Sequence, residues 1–266
     1  MLKPAFLSKL IAILVVRIAI PSLANANKAH HFSHASLQEG ENEIKHNFTM
    51  QTILFDLDGT LVDHFTTITN SIAHAQQTMG LEESSYAKVR ATVGGGIMLT
   101  LTRLMGEDNA KRAHPIFTEH FEANLFNGLK ELPGASWLLE QLHADGNYQM
   151  AVFTNKYGEH SRAITKHLGM DKWLSANVGT GDTDYRKPDP IFTAHILEIM
   201  NATSDETLLI GDSPFDFAAA QAGCLRSILV TTGSHDKQQL TEAADAEAIY
   251  SDLYELGESV FGFAKP

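Results

Sequence analysis

One cysteine in 266 residues, Cys224, excludes an intrachain disulfide and a cysteine-rich metal site. Set in Ala222-Gly223-Cys224, it reads as a small buried filler rather than a reactive thiol. Basic charge is scarce as well: 20 Lys and Arg stand against 32 Asp and Glu, for a net charge of −12. Residues 1–49 hold five basic and three acidic side chains, so the rest of the chain carries 15 against 29. So acidic a surface repels nucleic acid and anionic membranes, and neither is an expected partner. An anionic ligand would need a local positive site, from a metal ion or from a few placed Lys and backbone N–H groups. Long apolar runs are missing too. The stretch from Leu10 to Ile20 is shorter than an ordinary transmembrane helix and is interrupted by Arg17, so no stable membrane insertion is expected.

What the N-terminus does offer is ambiguous. Lys3 and Lys9 precede the apolar stretch and Ala24-Asn25-Ala26 supplies a small-residue cleavage site, as in an export signal. Met50, however, stands immediately before the first clear strand, where a natural start would fall, which makes residues 1–49 a spurious extension. The second reading places the protein in the cytoplasm; the first exports it if residues 1–26 are a genuine signal. Either way residues 1–49 are expected to lie outside the fold.

From residue 50 onward the pattern is strand, helices, then regular alternation. Thr52-Ile53-Leu54-Phe55 reads as a buried strand that opens into an acidic, glycine-containing loop. Helical spacing covers 66–80, 86–105 and 114–126, with Gly94-Gly95-Gly96 breaking the second segment. Helices are then expected over 135–145, 159–168, 190–200 and 216–222, and strands over 150–153, near 177–178, and over 207–210 and 227–230. Alternating strands and helices imply an α/β fold with a doubly wound, mainly parallel, Rossmann-like sheet. The helical stretch between strands is an insertion. Ligands of such sheets bind beyond the carboxyl ends of the strands, where the strand order reverses.

The chemistry-bearing residues all follow expected strands. In Asp56-Leu57-Asp58-Gly59-Thr60 the two carboxylates lie two residues apart and can face one pocket. Their mutual repulsion is relieved by a divalent cation, for which hard carboxylate oxygens favour Mg²⁺. One carboxylate can then attack phosphorus while the other shuttles a proton, and Thr60 can donate to a phosphate oxygen. Asp212, at the end of the strand before Gly211-Asp212-Ser213-Pro214, reads as a metal ligand. Asp216 can either orient the metal's waters or complement the dipole of its own helix. Thr154-Asn155-Lys156 suits a phosphate at a strand-to-helix turn. Lys187, followed by Pro188, can neutralise the attacked group and the nucleophile together.

Taken in order, these four loops resemble the four motifs of the haloacid-dehalogenase-like hydrolase superfamily, over nearly all of residues 51–256. The resemblance implies that Asp56 forms an aspartyl-phosphate and that Asp58 protonates the leaving alkoxide and then activates water. It also implies that Thr154 and Asn155 hold the phosphoryl oxygens and Lys187 balances charge. Mg²⁺ would be held by Asp56, the backbone carbonyl of Asp58, and Asp212. Residues 50–64 and 133–266 would form the core, and residues 65–132 a helical C1 cap. An acidic residue at position 58 favours phosphoryl chemistry over dehalogenation. Asp56 through Asp63, Thr154-Asn155-Lys156, Gly181-Asp182-Thr183 and Gly211-Asp212-Ser213 look most like the phosphoglycolate phosphatases. In that group Val93-Gly94-Gly95-Gly96 falls where the cap approaches substrate, which makes Gly95 a substrate-binding candidate. His64 departs from the serine common at that place. The partner implied is a small phosphorylated metabolite: 2-phosphoglycolate first, with a sugar phosphate or nucleotide, a β-phosphoglucomutase-like mutase, or a non-catalytic binding module as the alternatives.

Overall fold

A computed structural model describes residues 51–266; the expectations about a leader or extension lie outside the described residues. The central sheet runs β1 (Thr52–Phe55), β4 (Gln149–Tyr157), β5 (Ala176–Thr180), β6 (Thr207–Gly211), β7 (Arg226–Val230) and β8 (Ala248–Tyr250). Its spatial order is β5-β4-β1-β6-β7-β8, and each neighbouring pair is parallel. The chain builds outward from β1 through β4 to β5, then returns to the other side of β1 for β6. The carboxyl end of β1 is thus the point of reversal, where such sheets place their ligands.

Alternation along the strands fills both faces. Ile53, Phe55, Val152, Leu208 and Ile210 pack to one side, against helices α5 (Ala135–Asp145), α6 (Gly158–His167) and α10 (Leu253–Phe261). Leu54, Ala151, Phe153 and Leu209 pack to the other, against α7 (Pro190–Met200) and α8 (Pro214–Ala222). The residues of β1 are fully buried, as a central parallel strand covered on both faces requires.

Between β2 (Val62–Asp63) and β3 (Lys130–Glu131) lies a helical block: α1 (Phe65–Thr78), α2 (Tyr86–Arg90), α3 (Ile97–Met105) and α4 (Glu107–Ala123). β2 and β3 pair antiparallel, so the two connections between block and sheet run side by side. The block has its own core, including Ile72, Val89, Leu101, Ala113 and Phe117. Asp63 Oδ1 accepts the Phe65 N–H at 3.2 Å, which starts α1 immediately after the ribbon.

Several expectations shift. The segment 86–105 is two helices, because Gly94 and Gly96 adopt φ of 130° and 87° between them. Gly106, at φ 81°, separates α3 from α4, so α4 begins at Glu107, well before position 114. β4 extends through Thr154-Asn155-Lys156 to Tyr157, so these residues belong to the strand rather than to a loop after it. Cys224 is exposed, at φ 56° just past α8, and is no core filler. β2, β3, β8, α10 and α9 (Lys237–Ala243) were not anticipated. No helix among the described residues is long and apolar enough to cross a membrane.

Candidate active site

Three neighbouring strands deliver their side chains to one place. Asp56 follows β1, Thr154 lies near the end of β4, and Asp212 follows β6. Lys187 comes from the loop after β5. Asp56, Asp212 and Asp216 are all buried and each offers an oxygen within 4.8 Å of the others. Lys187 Nζ lies among them and donates to Asp56 Oδ1 at 2.7 Å, Asp216 Oδ1 at 2.6 Å and the Phe153 carbonyl at 2.8 Å. All three ammonium hydrogens are therefore spoken for.

The charges in this centre do not balance. Burial pushes the Asp56 carboxyl up to about 6; Lys187 pulls against this, and Asp216 adds to it. Burial, then the charges of Asp216 and Asp56, hold Asp212 well above the usual carboxylate range. Burial works against the Lys187 ammonium, but Asp216 and Asp56 outweigh it and keep the group above its ordinary value. One cation among three carboxylates leaves a deficit of positive charge.

The hydrogen bonds say which oxygens remain open. Asp216 spends Oδ1 on Lys187 and Oδ2 on the N–H and hydroxyl of Ser213, at 3.1 and 2.6 Å. It thereby ties down the first turn of α8 and the loop bearing Asp212. Asp212 Oδ2 accepts the N–H and hydroxyl of Ser234, at 2.8 and 3.1 Å. Asp56 Oδ2 and Asp212 Oδ1 accept no hydrogen bond among the described residues. Two buried hard oxygens without donors, in a centre short of positive charge, suit a divalent cation. Glycine shapes the space around them. A Cβ on Gly59, itself at φ 95°, would meet the Asp212 carboxylate at 2.7 Å, and one on Gly233 would collide with it outright.

Asp58 stands apart from this cluster. Its carboxylate accepts from Lys156 Nζ at 3.2 and 2.8 Å, and His64 Nδ1 lies 3.9 Å from Oδ1. Both Asp56 and Asp58 line a cavity of about 770 Å³ between the strand ends and the helical block. Thr154 lines it too. Its hydroxyl accepts the Lys156 N–H at 3.2 Å and leaves its own hydrogen unspent.

Three other expected ligand contacts turn out differently. Asn155 lines the cavity, but its amide is fully engaged: Nδ2 donates to the carbonyls of Gly94 and Lys187, and Oδ1 accepts the Lys187 N–H. The side chain is a strut between the helical block and the Lys187 loop, with no donor left for a phosphoryl oxygen. Thr60 is fully buried away from the cavity, its hydroxyl unpartnered among the described residues. The cause is the tight turn in which the Leu57 carbonyl takes the N–H groups of Thr60, Leu61 and Val62. Gly94 and Gly96 line the cavity, whereas Gly95 packs against Leu99 and Phe215, where a Cβ would come within 2.7 Å of the Phe215 ring.

The sequence pattern assigned no separate role to Lys156, Ser234 or Arg90. Lys156 closes the motif Thr154-Asn155-Lys156 and Ser234 sits in a Gly-Ser turn after β7, so both carried a faint signal. Arg90, donating from α2 to the carbonyls of Thr232 and Gly233, carried none.

A doubly wound parallel sheet with an inserted helical block, an acidic centre at its reversal point and one buried lysine define the class: a Rossmann-like α/β protein with a carboxylate-based site. The profile of the family described as "Haloacid dehalogenase-like hydrolase" matches residues 53–230, and the chain belongs to that family. It is 33% identical over 192 residues to the phosphoglycolate phosphatase of Cereibacter sphaeroides, covering 69% of this chain and 86% of that one. To the phosphoglycolate phosphatase of Rhodospirillum rubrum it is 29% identical over 227 residues, covering 81% and 92%. Among solved structures, one described as a predicted phosphatase from Clostridium acetobutylicum superposes with a TM-score of 0.73 at 26% identity, covering 80% of this chain and 99% of that one. Another, described as a predicted phosphoglycolate phosphatase from Haemophilus somnus, gives 0.72 at 26% identity, covering 78% and 96%.

Proposed function

We infer that the chain is a Mg²⁺-dependent phosphomonoesterase that works through an aspartyl-phosphate on Asp56, with 2-phosphoglycolate as its substrate. The observation that carries the chemistry is the Asp56 carboxylate, held at 2.7 Å by Lys187 at the floor of a cavity that Asp58 also lines. The substrate rests on the phosphoglycolate phosphatases of several bacteria that the chain resembles.

In the first step an Asp56 oxygen forms a bond to phosphorus as the bond from phosphorus to the leaving-group oxygen breaks. Asp58 gives its proton to that oxygen. In the second step Asp58 takes a proton from water, whose oxygen attacks phosphorus. The bond from phosphorus to Asp56 then breaks and inorganic phosphate leaves. Lys187 offsets charge on the nucleophile, and the Thr154 hydroxyl donates to a phosphoryl oxygen. Asp56, the Asp58 carbonyl and Asp212 would hold Mg²⁺, with Asp216 fixing the loop that bears Asp212. Bound there, it neutralises phosphoryl oxygens. The helical block, residues 65–132, acts as the cap: Val93, Ile97, Met98, Phe117 and Phe121 wall the cavity on its side.

That apolar wall and the volume of about 770 Å³ favour a second reading, a phosphomonoester with a bulkier leaving group. The test is phosphate release by the purified full chain from 2-phosphoglycolate and a panel of sugar and nucleoside phosphates, with and without Mg²⁺. Preferential, Mg²⁺-dependent release from 2-phosphoglycolate supports the first reading. Preference for a larger ester moves the substrate and keeps the chemistry. Isomerised sugar phosphate without free phosphate makes the protein a mutase, and inertness toward every ester leaves a binding role.

A further inference from the structure

Asp58 is held by a residue that the reaction scheme leaves unused. Lys156 Nζ donates to both of its oxygens, and the two side chains are only 7% and 12% exposed. Lys156 sits where β4 bulges: between the pairs Phe153–Val178 and Tyr157–Thr180, four residues of β4 advance against two of β5. The bulge re-aims side chains at the strand's end, and Lys156 lines the cavity as a result. Its ammonium also lies 4.9 Å from the centre of the Phe121 ring on α4. That ring is buried and its centre lies 5.1 Å from that of His64, whose Nδ1 is 3.9 Å from Asp58 Oδ1.

A lysine has a long flexible stem, and enclosing its charge is costly unless the charge is paired. Here a carboxylate and an aromatic face share the pairing, and together they fix the ammonium between the sheet and the helical block. Proton transfer to a leaving group demands hydrogen-bond reach from the acid to the departing oxygen, so the aim of the Asp58 carboxylate bears directly on the rate.

We propose that Lys156 is a positioning residue that aims Asp58 at the leaving-group oxygen, and that Phe121 fixes Lys156 from the helical block. The proposal rests on the phosphomonoesterase reading above. Lys156 keeps its protons throughout and touches neither phosphorus nor the leaving group; the proton that moves belongs to Asp58.

The experiment compares kcat/KM of the full chain with Mg²⁺ for three esters: 2-phosphoglycolate, ethyl phosphate and 4-nitrophenyl phosphate. The two alkyl esters expel an alkoxide that needs a proton, whereas nitrophenolate leaves without one. Lys156→Met is expected to lower kcat/KM for both alkyl esters about 30-fold or more, and for the aryl ester less than about 3-fold. Lys156→Arg, which keeps the charge, restores most of the loss. Phe121→Leu shows the same contrast in weaker form and carries the test by itself if Lys156→Met does not fold. An equal fall for all three esters overturns the proposal, because Lys156 then serves the phosphoryl group or the fold. A fall confined to 2-phosphoglycolate also overturns it, by making Lys156 a ligand for the substrate carboxylate. A wild-type protein inert toward all three esters and toward the sugar and nucleoside phosphates of the wider panel overturns the phosphomonoesterase reading, and this proposal with it. Where only a larger alkyl ester is cleaved, that ester takes the place of 2-phosphoglycolate in the comparison.

Discussion

Arg90 donates to the carbonyl of Gly233 through both Nε and Nη2, at 3.0 and 2.8 Å. The next residue, Ser234, donates its N–H and hydroxyl to Asp212. A side chain of the helical block thus pins the loop that holds a carboxylate of the acidic centre, while its guanidinium lies 5.1 Å from the Phe65 ring at the start of α1. Arg90→Ala should cost about 1–2 kcal/mol of stability, since the freed carbonyls can partly turn to water. It should also speed amide exchange at Thr232 to Ser234. Unchanged exchange there would show that the loop holds itself without Arg90.

Lys187 is the only cation in direct contact with the carboxylates of Asp56 and Asp216 among the described residues. Lys187→Met leaves three buried carboxylates with no counter-charge. At pH 8 without metal, the variant should lose about 3–5 kcal/mol, the range for stripping one partner from a buried pair. The loss should shrink toward acid, because the carboxyls escape repulsion by taking up protons. Saturating Mg²⁺ should recover part of it by binding only the folded state. Chemical denaturation with chelator and with Mg²⁺ measures both. A variant as stable as the parent in chelator at pH 8 contradicts the charge account of the centre.

How far the sequence foreshadows this arrangement depends on what each residue answers to. Strand β1 and helices α5 and α7 lie where periodicity puts them, since local pattern and burial agree there. Helix α10 was hidden by Gly257, a poor helix former in mid-element. In the fold that glycine makes room for Trp137, whose ring a Cβ would meet at 2.5 Å. The acidic residues and Lys187 were legible because loops after parallel strands converge. The neighbours that organise them were not. Asn155 braces Gly94 from 61 positions away, and Lys156 reaches Asp58 across 98, contacts fixed by packing between the sheet and the helical block. Thr60 looked like a phosphate donor because its residue type fits, but a turn of three N–H groups on one carbonyl decides where it goes.

Asp56→Asn separates function from folding. Burial has already raised the acid's pKa to about 6, so at neutral pH the folded protein holds a carboxylate more reluctantly than the unfolded chain does. A neutral amide removes that cost, and Lys187 keeps Asp216 and the Phe153 carbonyl as partners. In chelator at pH 7.5 the variant should be no less stable than the parent, and could gain on the order of 1–2 kcal/mol. Its kcat should fall at least about 10³-fold, as befits loss of a covalent nucleophile. Retention of more than about a tenth of the activity would falsify the aspartyl-phosphate mechanism.

His64 supplies a pH-dependent term of opposite sign to that of Asp56. It is fully buried, and both ring nitrogens lack hydrogen-bond partners among the described residues. Burial, and then the charge of Lys156, depress its pKa from 6.5 to about 4. Between those two values the unfolded chain binds a proton that the folded protein refuses, so this contribution to stability rises with pH and is lost as pH falls from 6.5 toward 4. Asp56, raised from 3.8 to about 6, binds its proton more readily when folded, so in metal-free protein its contribution declines across nearly the same window as pH rises. Asp212, also held well above the usual carboxylate range, adds to the decline. In the metal-free parent the two carboxyl terms therefore outweigh that of His64, and net stability should fall as pH rises there. His64→Ser removes the opposing histidine term. At pH 7 the variant should be less stable by about 2–4 kcal/mol, because the lost ring leaves a cavity beside Phe121. By pH 4.5 that deficit should narrow by about 2 kcal/mol, since the serine has no proton to refuse. Urea unfolding in chelator at a series of pH values reads the difference directly. A deficit that stays constant from pH 7 to 4.5 would mean that His64 takes up its proton in the folded protein as easily as in the unfolded chain.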